Sequence, residues 1–122
     1  MRSFALAAAL ALGLALPATQ AGAVEGKLVL YTSQPNTDAQ QTIDAFKAKY
    51  PKVEISFVRD GTPRVMAKLR AEFEAGAPQA DLLLIADAVT MEGLKKEGRL
   101  LAHDKADTAA YPAGMHDPAK FW

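Results

Sequence analysis

Three apolar runs, each followed by a segment of helical periodicity, restrict this chain more than any other feature. "KLVLYT", "VEISFVRD" and "DLLLIAD" are rich in Leu, Val, Ile, Phe and Tyr, the composition of strands. The first and third are continuously apolar, which predicts burial on both faces and interior places in a sheet. The second, residues 53–60, alternates Val53, Ile55 and Phe57 with Glu54 and Ser56, which predicts a sheet edge. Strands alternating with helices imply parallel pairing and right-handed crossovers. The fold class is therefore α/β, an open, mostly parallel sheet with helices on both faces.

The helices have readable limits. The first spans about Thr37 to Tyr50, with Asn36, Thr37 or Asp38 as cap and Pro51 as stop. Ile43, Phe46 and Tyr50 share its buried face. For the second, Gly61 makes the turn, Thr62 is the expected N-cap and Pro63 the first helical residue. Val65 or Met66, Leu69 and Phe73 form its stripe, Arg70 pairs with Glu74 on the outside, and Gly76 is suited to a left-handed cap. The third runs from about Val89 to Glu97, with Asp87 or Thr90 as cap, and "LKKEG" reads as a solvated helix end. Residues from about 102 to 122 carry Asp, Ala, Pro and Gly without periodicity and read as a loop or tail.

Residues 1–23 stand outside this pattern. Arg2 precedes an apolar run from Phe4 to Leu16, Pro17 ends it, and small residues allow cleavage after Ala21 or Ala23. That order is the one of a secretory signal peptide, and the run is shorter than the roughly 20 residues that span a bilayer. The expectation is export, with residues 24–122 as the mature domain and no membrane insertion after cleavage. Cleavage removes Arg2 from 14 basic residues and leaves 14 acidic ones, a net charge of −1. Such a balance gives no bulk attraction to nucleic acid. No cysteine is present, which excludes thiolate catalysis and cysteine-based zinc sites.

In an open parallel sheet, ligands bind where the carboxyl ends of the strands feed the helices. Three loops qualify: Thr32-Ser33-Gln34, Asp60-Gly61-Thr62, and Ala86-Asp87-Ala88. Helix N-termini there offer unpaired N–H groups, and the hydroxyls of Thr32, Ser33 and Thr62 donate or accept. The candidate ligand contacts are Thr32, Ser33, Gln34, Asp60, Gly61, Thr62, Asp87 and Ala88, although Thr62 and Asp87, each taken alone, are better explained as caps. His103-Asp104 and His116-Asp117 follow no metal-ligand spacing and read as loop residues. No G-x-S-x-G, G-x-G-x-x-G or P-loop pattern occurs. No catalytic, metal or cofactor residue is assigned, and no enzymatic activity is expected.

Taken in order, "LVLYTSQ", "IDAFKAKYPKVEISFVRDGTPRVMAKLRAEFEAGAPQADLLLIAD" and "LKKEGRLLAH" resemble the family 1 extracellular solute-binding proteins of bacterial ABC importers. The iron(III)-, thiamine- and aminoethylphosphonate-type members are the most similar. The resemblance implies a type II periplasmic-binding-protein fold, of which this chain holds an incomplete first lobe. It also implies a periplasmic location, a monomer, a small-molecule or ion ligand clamped between two lobes, and an ABC permease as partner of the full-length protein. Iron-binding members often carry a Tyr-x-x-x-His pattern after the first strand. Here it reads Tyr31-Thr32-Ser33-Gln34-Pro35, and proline cannot coordinate a metal. A small organic or oxyanion ligand is expected, with iron(III) as the alternative within the family. Outside it, the alternative is a periplasmic enzyme or sensor domain on a similar scaffold, although Ser33 has no evident histidine partner. With the second lobe missing, the chain by itself is expected to bind weakly.

Overall fold

The computed structural model describes residues 24–122, so the expected signal peptide lies outside the described residues. The elements alternate as expected: β1 (Glu25–Thr32), α1 (Asn36–Lys49), β2 (Lys52–Arg59), α2 (Thr62–Glu74), β3 (Leu82–Leu84) and α3 (Ala88–Lys96). They form one parallel three-stranded sheet in the order β2-β1-β3. No described helix is long and apolar enough to cross a membrane.

Strand β1 takes the centre, which explains its unbroken apolar run. Leu30, Tyr31 and Thr32 are all buried, the last two at 1% and 0% exposure. Strand β2 lies at an edge, as its alternation predicts, with Val53 buried and Glu54 and Ser56 exposed. The expectation for β3 needs correction. It is three residues long, pairs on one side with Leu30–Thr32, and leaves Leu82 51% exposed. An apolar run reports burial of a strand's two faces, and says nothing about whether both of its edges are paired.

The sheet is covered on both faces. The connection from β1 to β2 moves one way across the sheet and that from β2 to β3 moves back across β1. Right-handed crossovers then place α1 and α2 on opposite faces. On the α1 side, Leu28, Leu30 and Leu84 face Ile43 and Phe46 around an apolar groove of about 180 Å³. Of the expected stripe on α1, Ile43 is buried while Phe46 remains half-open and stacks on Tyr50 with ring centroids 4.8 Å apart. On the other side, Met66 and Leu69 of α2 meet Leu94 of α3, with Phe73, Leu83, Met91 and Leu100 around them. Burying a leucine side chain of this kind stabilises a fold by about 1.5–3 kcal/mol.

Two details of α2 and α3 differ from expectation because each side chain finds a partner outside its own helix. Arg70 pairs with Glu97 at the end of α3, at 3.0 and 3.2 Å, instead of with Glu74. Lys95 is no solvated helix end. Its Nζ lies 2.7 Å from Oδ1 of Asp117, a carboxylate only 3% exposed. Both helices close as the sequence predicts, with Gly76 and Gly98 at φ +66. Ala77 N–H donates to Glu72 O and Arg99 N–H to Leu94 O, satisfying carbonyls of the last turns.

The segment after α3 contains no helix or strand, in line with the loop reading, but it is held in place. Asp117 binds Lys95, Trp122 Nε1 donates to Glu92 at 3.1 Å, and His103 N–H donates to Lys120 O at 2.8 Å. Polar side chains on α3 give it anchorage that hydrophobic periodicity does not reveal.

Candidate functional site

A crevice lies between the carboxyl ends of β1 and β3, because the helices that follow them, α1 and α3, lie on opposite faces of the sheet. The first loop spans that crevice. Ser33 N–H donates to Leu84 O at 3.1 Å, and Ala86 N–H donates to Ser33 Oγ at 3.3 Å. Thr32, fully buried, donates its hydroxyl to Leu84 O at 3.0 Å and accepts Gln34 N–H at 3.1 Å. The same loop reaches β2 on its other side. Asp60 N–H donates to Thr32 O at 3.3 Å, and Arg59 Nε donates to Gln34 O at 2.8 Å. The three strand-end loops singled out in the sequence therefore meet on one rim, with Thr32-Ser33-Gln34 in the middle.

Their helices end differently at that rim. Helix α1 begins at Asn36 with Pro35 as N-cap, and no side chain caps it. The expected caps Asn36, Thr37 and Asp38 lie inside the first turn, where Thr37 bonds Asp38 and Asp38 favours the positive end of the helix. Helix α2 also lacks a side-chain cap. Gly61 occupies the cap position, with Thr62 and Pro63 following as the first and second helical residues. Each boundary is one residue earlier than the sequence suggests, because proline's fixed φ starts α1 and is equally suited to the second position of α2. Gly61 has φ −59, so the turn does not require glycine, and its open side meets only Pro63 Cδ at 3.9 Å.

Helix α3 is the contrast. Asp87 caps it outright, accepting Val89 N–H at 3.0 Å through Oδ1 and the Thr90 hydroxyl through Oδ2. The Thr90 hydroxyl, helped by the backbone N–H groups, holds the Asp87 carboxyl below its ordinary range against the opposing effect of burial. Both oxygens are thus engaged within the chain, and Ala88 lies exposed beside them. Asp60 is also engaged, taking Gly61 N–H at 2.7 Å and standing 3.6 Å from Arg64.

One atom on the rim has no partner. Gln34 Oε1 is buried, and no donor within the described structure reaches it. Buried amide oxygens are seldom left so, because an unmade hydrogen bond costs about 1–3 kcal/mol. The arrangement offers a ligand the unpaired N–H groups of the first turn of α1, the Thr62 N–H at the start of α2 (Pro63 has no N–H and Arg64 N–H bonds Gly61 O) and the hydroxyls of Ser33 and Thr62, beside the unpartnered Gln34 oxygen. It offers no nucleophile paired with a base.

Sequence reasoning missed what supports the rim from below. Tyr31, on the face opposite the α1 groove, donates its hydroxyl to Glu72 Oε1 at 2.6 Å, and Lys68 pairs with the same oxygen at 2.8 Å. Gln79 N–H binds the other oxygen at 3.1 Å. Burial raises the Tyr31 pKa, and the Glu72 hydrogen bond adds to that. Burial alone would raise Glu72 as well, but hydrogen bonds from Lys68, Tyr31 and Gln79 outweigh it and hold the carboxyl low. The spacing of Lys68 and Glu72 was visible in the sequence, while their union with a strand tyrosine depends on how α2 crosses β1.

The family model for bacterial extracellular solute-binding proteins matches residues 31–120, from the end of β1 into the final turns, and the chain belongs to that family. Among curated proteins, none matches the chain.

Proposed function

Proceeding from that membership, we propose that the chain contributes one wall of a solute site in the exported binding component of an ABC importer. The wall is the rim between β1, β2 and β3, and the solute is a small organic molecule or an oxyanion. Ser33, Gln34, Gly61 and Thr62 touch the solute. Thr32, Asp60, Asp87 and Ala88 frame the site, the first three through hydrogen bonds made inside the chain. The observation that carries this reading is the uneven capping. α1 and α2 present uncapped first turns beside an unpartnered Gln34 Oε1, while α3 at the same rim is closed by Asp87. Uncapped N–H groups suit an anionic or carbonyl oxygen, and the amide oxygen calls for a solute that also carries an O–H or N–H donor.

The full-length protein would work by closing two lobes around the solute, with a permease recognising the closed form. One wall supplies only part of the contacts, so weak binding by this chain as a monomer is expected. Titrating it with sulfate, phosphate and a small hydroxy acid while following backbone amide resonances tests the reading. Shifts centred on Ser33–Asp38 and Gly61–Val65 are expected. Shifts confined to other segments, or tight binding by the isolated chain in calorimetry, would contradict it.

A further inference from the structure

The turns after α3 form a second, open cavity, of about 370 Å³, which shares no residue with the rim. Its size falls within the roughly 300–1,000 Å³ of small-molecule sites. Tyr111, Phe121 and Trp122 supply aromatic walls, and His103, His116 and Lys120 supply polar groups. The two histidines, 13 positions apart in sequence, thus come to one cavity. Among the described residues no third His, Cys, Asp or Glu completes a metal-binding group with them.

Lys120 is the distinctive member. It is the non-glycine residue with positive φ, at 60, among the described residues, a conformation uncommon outside glycine. Its ammonium donates to the carbonyl oxygens of Asp104 at 2.8 Å and Ala106 at 2.9 Å. No described carboxylate stands within ion-pair distance of it. An ammonium has three N–H donors, so one remains for a further acceptor. Asp117 is already committed to Lys95, and Asp107, which also lines the cavity, has its Oδ1 on Ala109 N–H at 3.1 Å and makes no ion pair with Lys120.

We propose that this cavity binds a small aromatic carboxylate, its ring among Tyr111, Phe121 and Trp122 and its carboxylate on the free N–H of Lys120. The aromatic walls select a planar apolar body, and the remaining N–H of the Lys120 ammonium selects an oxygen acceptor on its end. The site is independent of the rim and of the solute proposed for it.

Trp122 is the only tryptophan in the chain and lines the cavity, so its emission reports occupancy locally. The full chain is titrated with benzoate, and in parallel with benzyl alcohol and cyclohexanecarboxylate. Saturable change with benzoate is expected, at least about tenfold weaker with either analogue, the size of one charge-assisted hydrogen bond or an aromatic contact of about 1.4 kcal/mol. Lys120→Gly deletes the cation at a backbone angle that glycine accepts and should weaken benzoate by about tenfold or more. Tyr111→Ala, at an exposed side chain, should weaken it several-fold and guards against a folding effect at Lys120. A linear, unsaturated change in the parent chain overturns the proposal. So does saturable binding that survives both substitutions, equal binding of all three probes, or amide exchange showing that the turns around Lys120 are unprotected.

Discussion

Thr32→Val removes the hydroxyl that ties the first rim loop to the end of β3 while keeping the side chain's size. Thr32 is fully buried, so the loss has no compensation from water. Its hydroxyl makes two bonds, to Leu84 O and from Gln34 N–H. Leu84 O retains Ser33 N–H at 3.1 Å, whereas Gln34 N–H loses the acceptor that Thr32 provides. One bond lost at about 1 kcal/mol and one donor stranded at about 1–3 kcal/mol predict a destabilisation of about 2–4 kcal/mol. Thr32→Ser keeps both bonds and deletes one methyl, which predicts about 1 kcal/mol. Urea denaturation separates them. With a slope of about 1–2 kcal/mol per molar for a domain of this size, valine should lower the midpoint by about 1–4 M and serine by less. Hydrogen exchange at the Gln34 amide should accelerate in the valine variant alone. If valine equals the parent, or serine is the worse of the two, the hydroxyl does not tie the rim together and the reasoning fails.

Two further outcomes follow from the supports of the sheet. Tyr31→Phe deletes the donor to Glu72 but leaves that carboxylate with Lys68 and Gln79 N–H. It should cost about 1.5 kcal/mol in the same denaturation assay, and a larger loss in Tyr31→Phe/Lys68→Met than the two single losses added would show that the pair share one acceptor. The Lys95 hydrogen bond holds Asp117 below the ordinary carboxylate range despite the opposing effect of burial. A depressed folded pKa gives stability that is present above the unfolded value of about 3.9 and is lost as pH falls through the folded one. Thermal unfolding of the parent should therefore decline more steeply below about pH 5 than that of Asp117→Asn. Parallel curves would show that the pair does not anchor the tail.

The fold was legible to the extent that it depends on local patterns. Strand and helix type, parallel pairing, the edge place of β2 and the glycine stops at Gly76 and Gly98 all follow from periodicity and backbone sterics. What was not legible depends on neighbours. The length and edge place of β3 depend on which strands stand beside it, and the apolar run of "DLLLIAD" is the same whether one edge or both are paired. Arg70 was matched to Glu74 because that spacing is visible along one helix. Its partner Glu97 becomes available only when α3 packs beside α2. Lys95 and Asp117 are similar, separated by 22 positions and joined by a tail with no periodicity to predict its path.

The rim shows a finer limit of the same kind. Every polar residue before a helix is a candidate both for capping and for binding, and sequence alone favours the cap at Thr62 and Asp87 and leaves the Ser33-Gln34 loop evenly balanced. Asn36, Thr37 and Asp38 looked sufficient to cap α1, yet proline's fixed φ starts the helix one residue earlier and puts all three inside its first turn. Thr62 is carried past the cap position in α2 by the same kind of shift. A displacement of one residue thus turns three expected caps into first-turn side chains and leaves two helix ends open at the rim. Asp87, where no proline intervenes, stays in register and caps α3. The ligand-facing character proposed for Ser33, Gln34, Gly61 and Thr62 therefore depends on Pro35 and Pro63 as much as on the polar residues themselves.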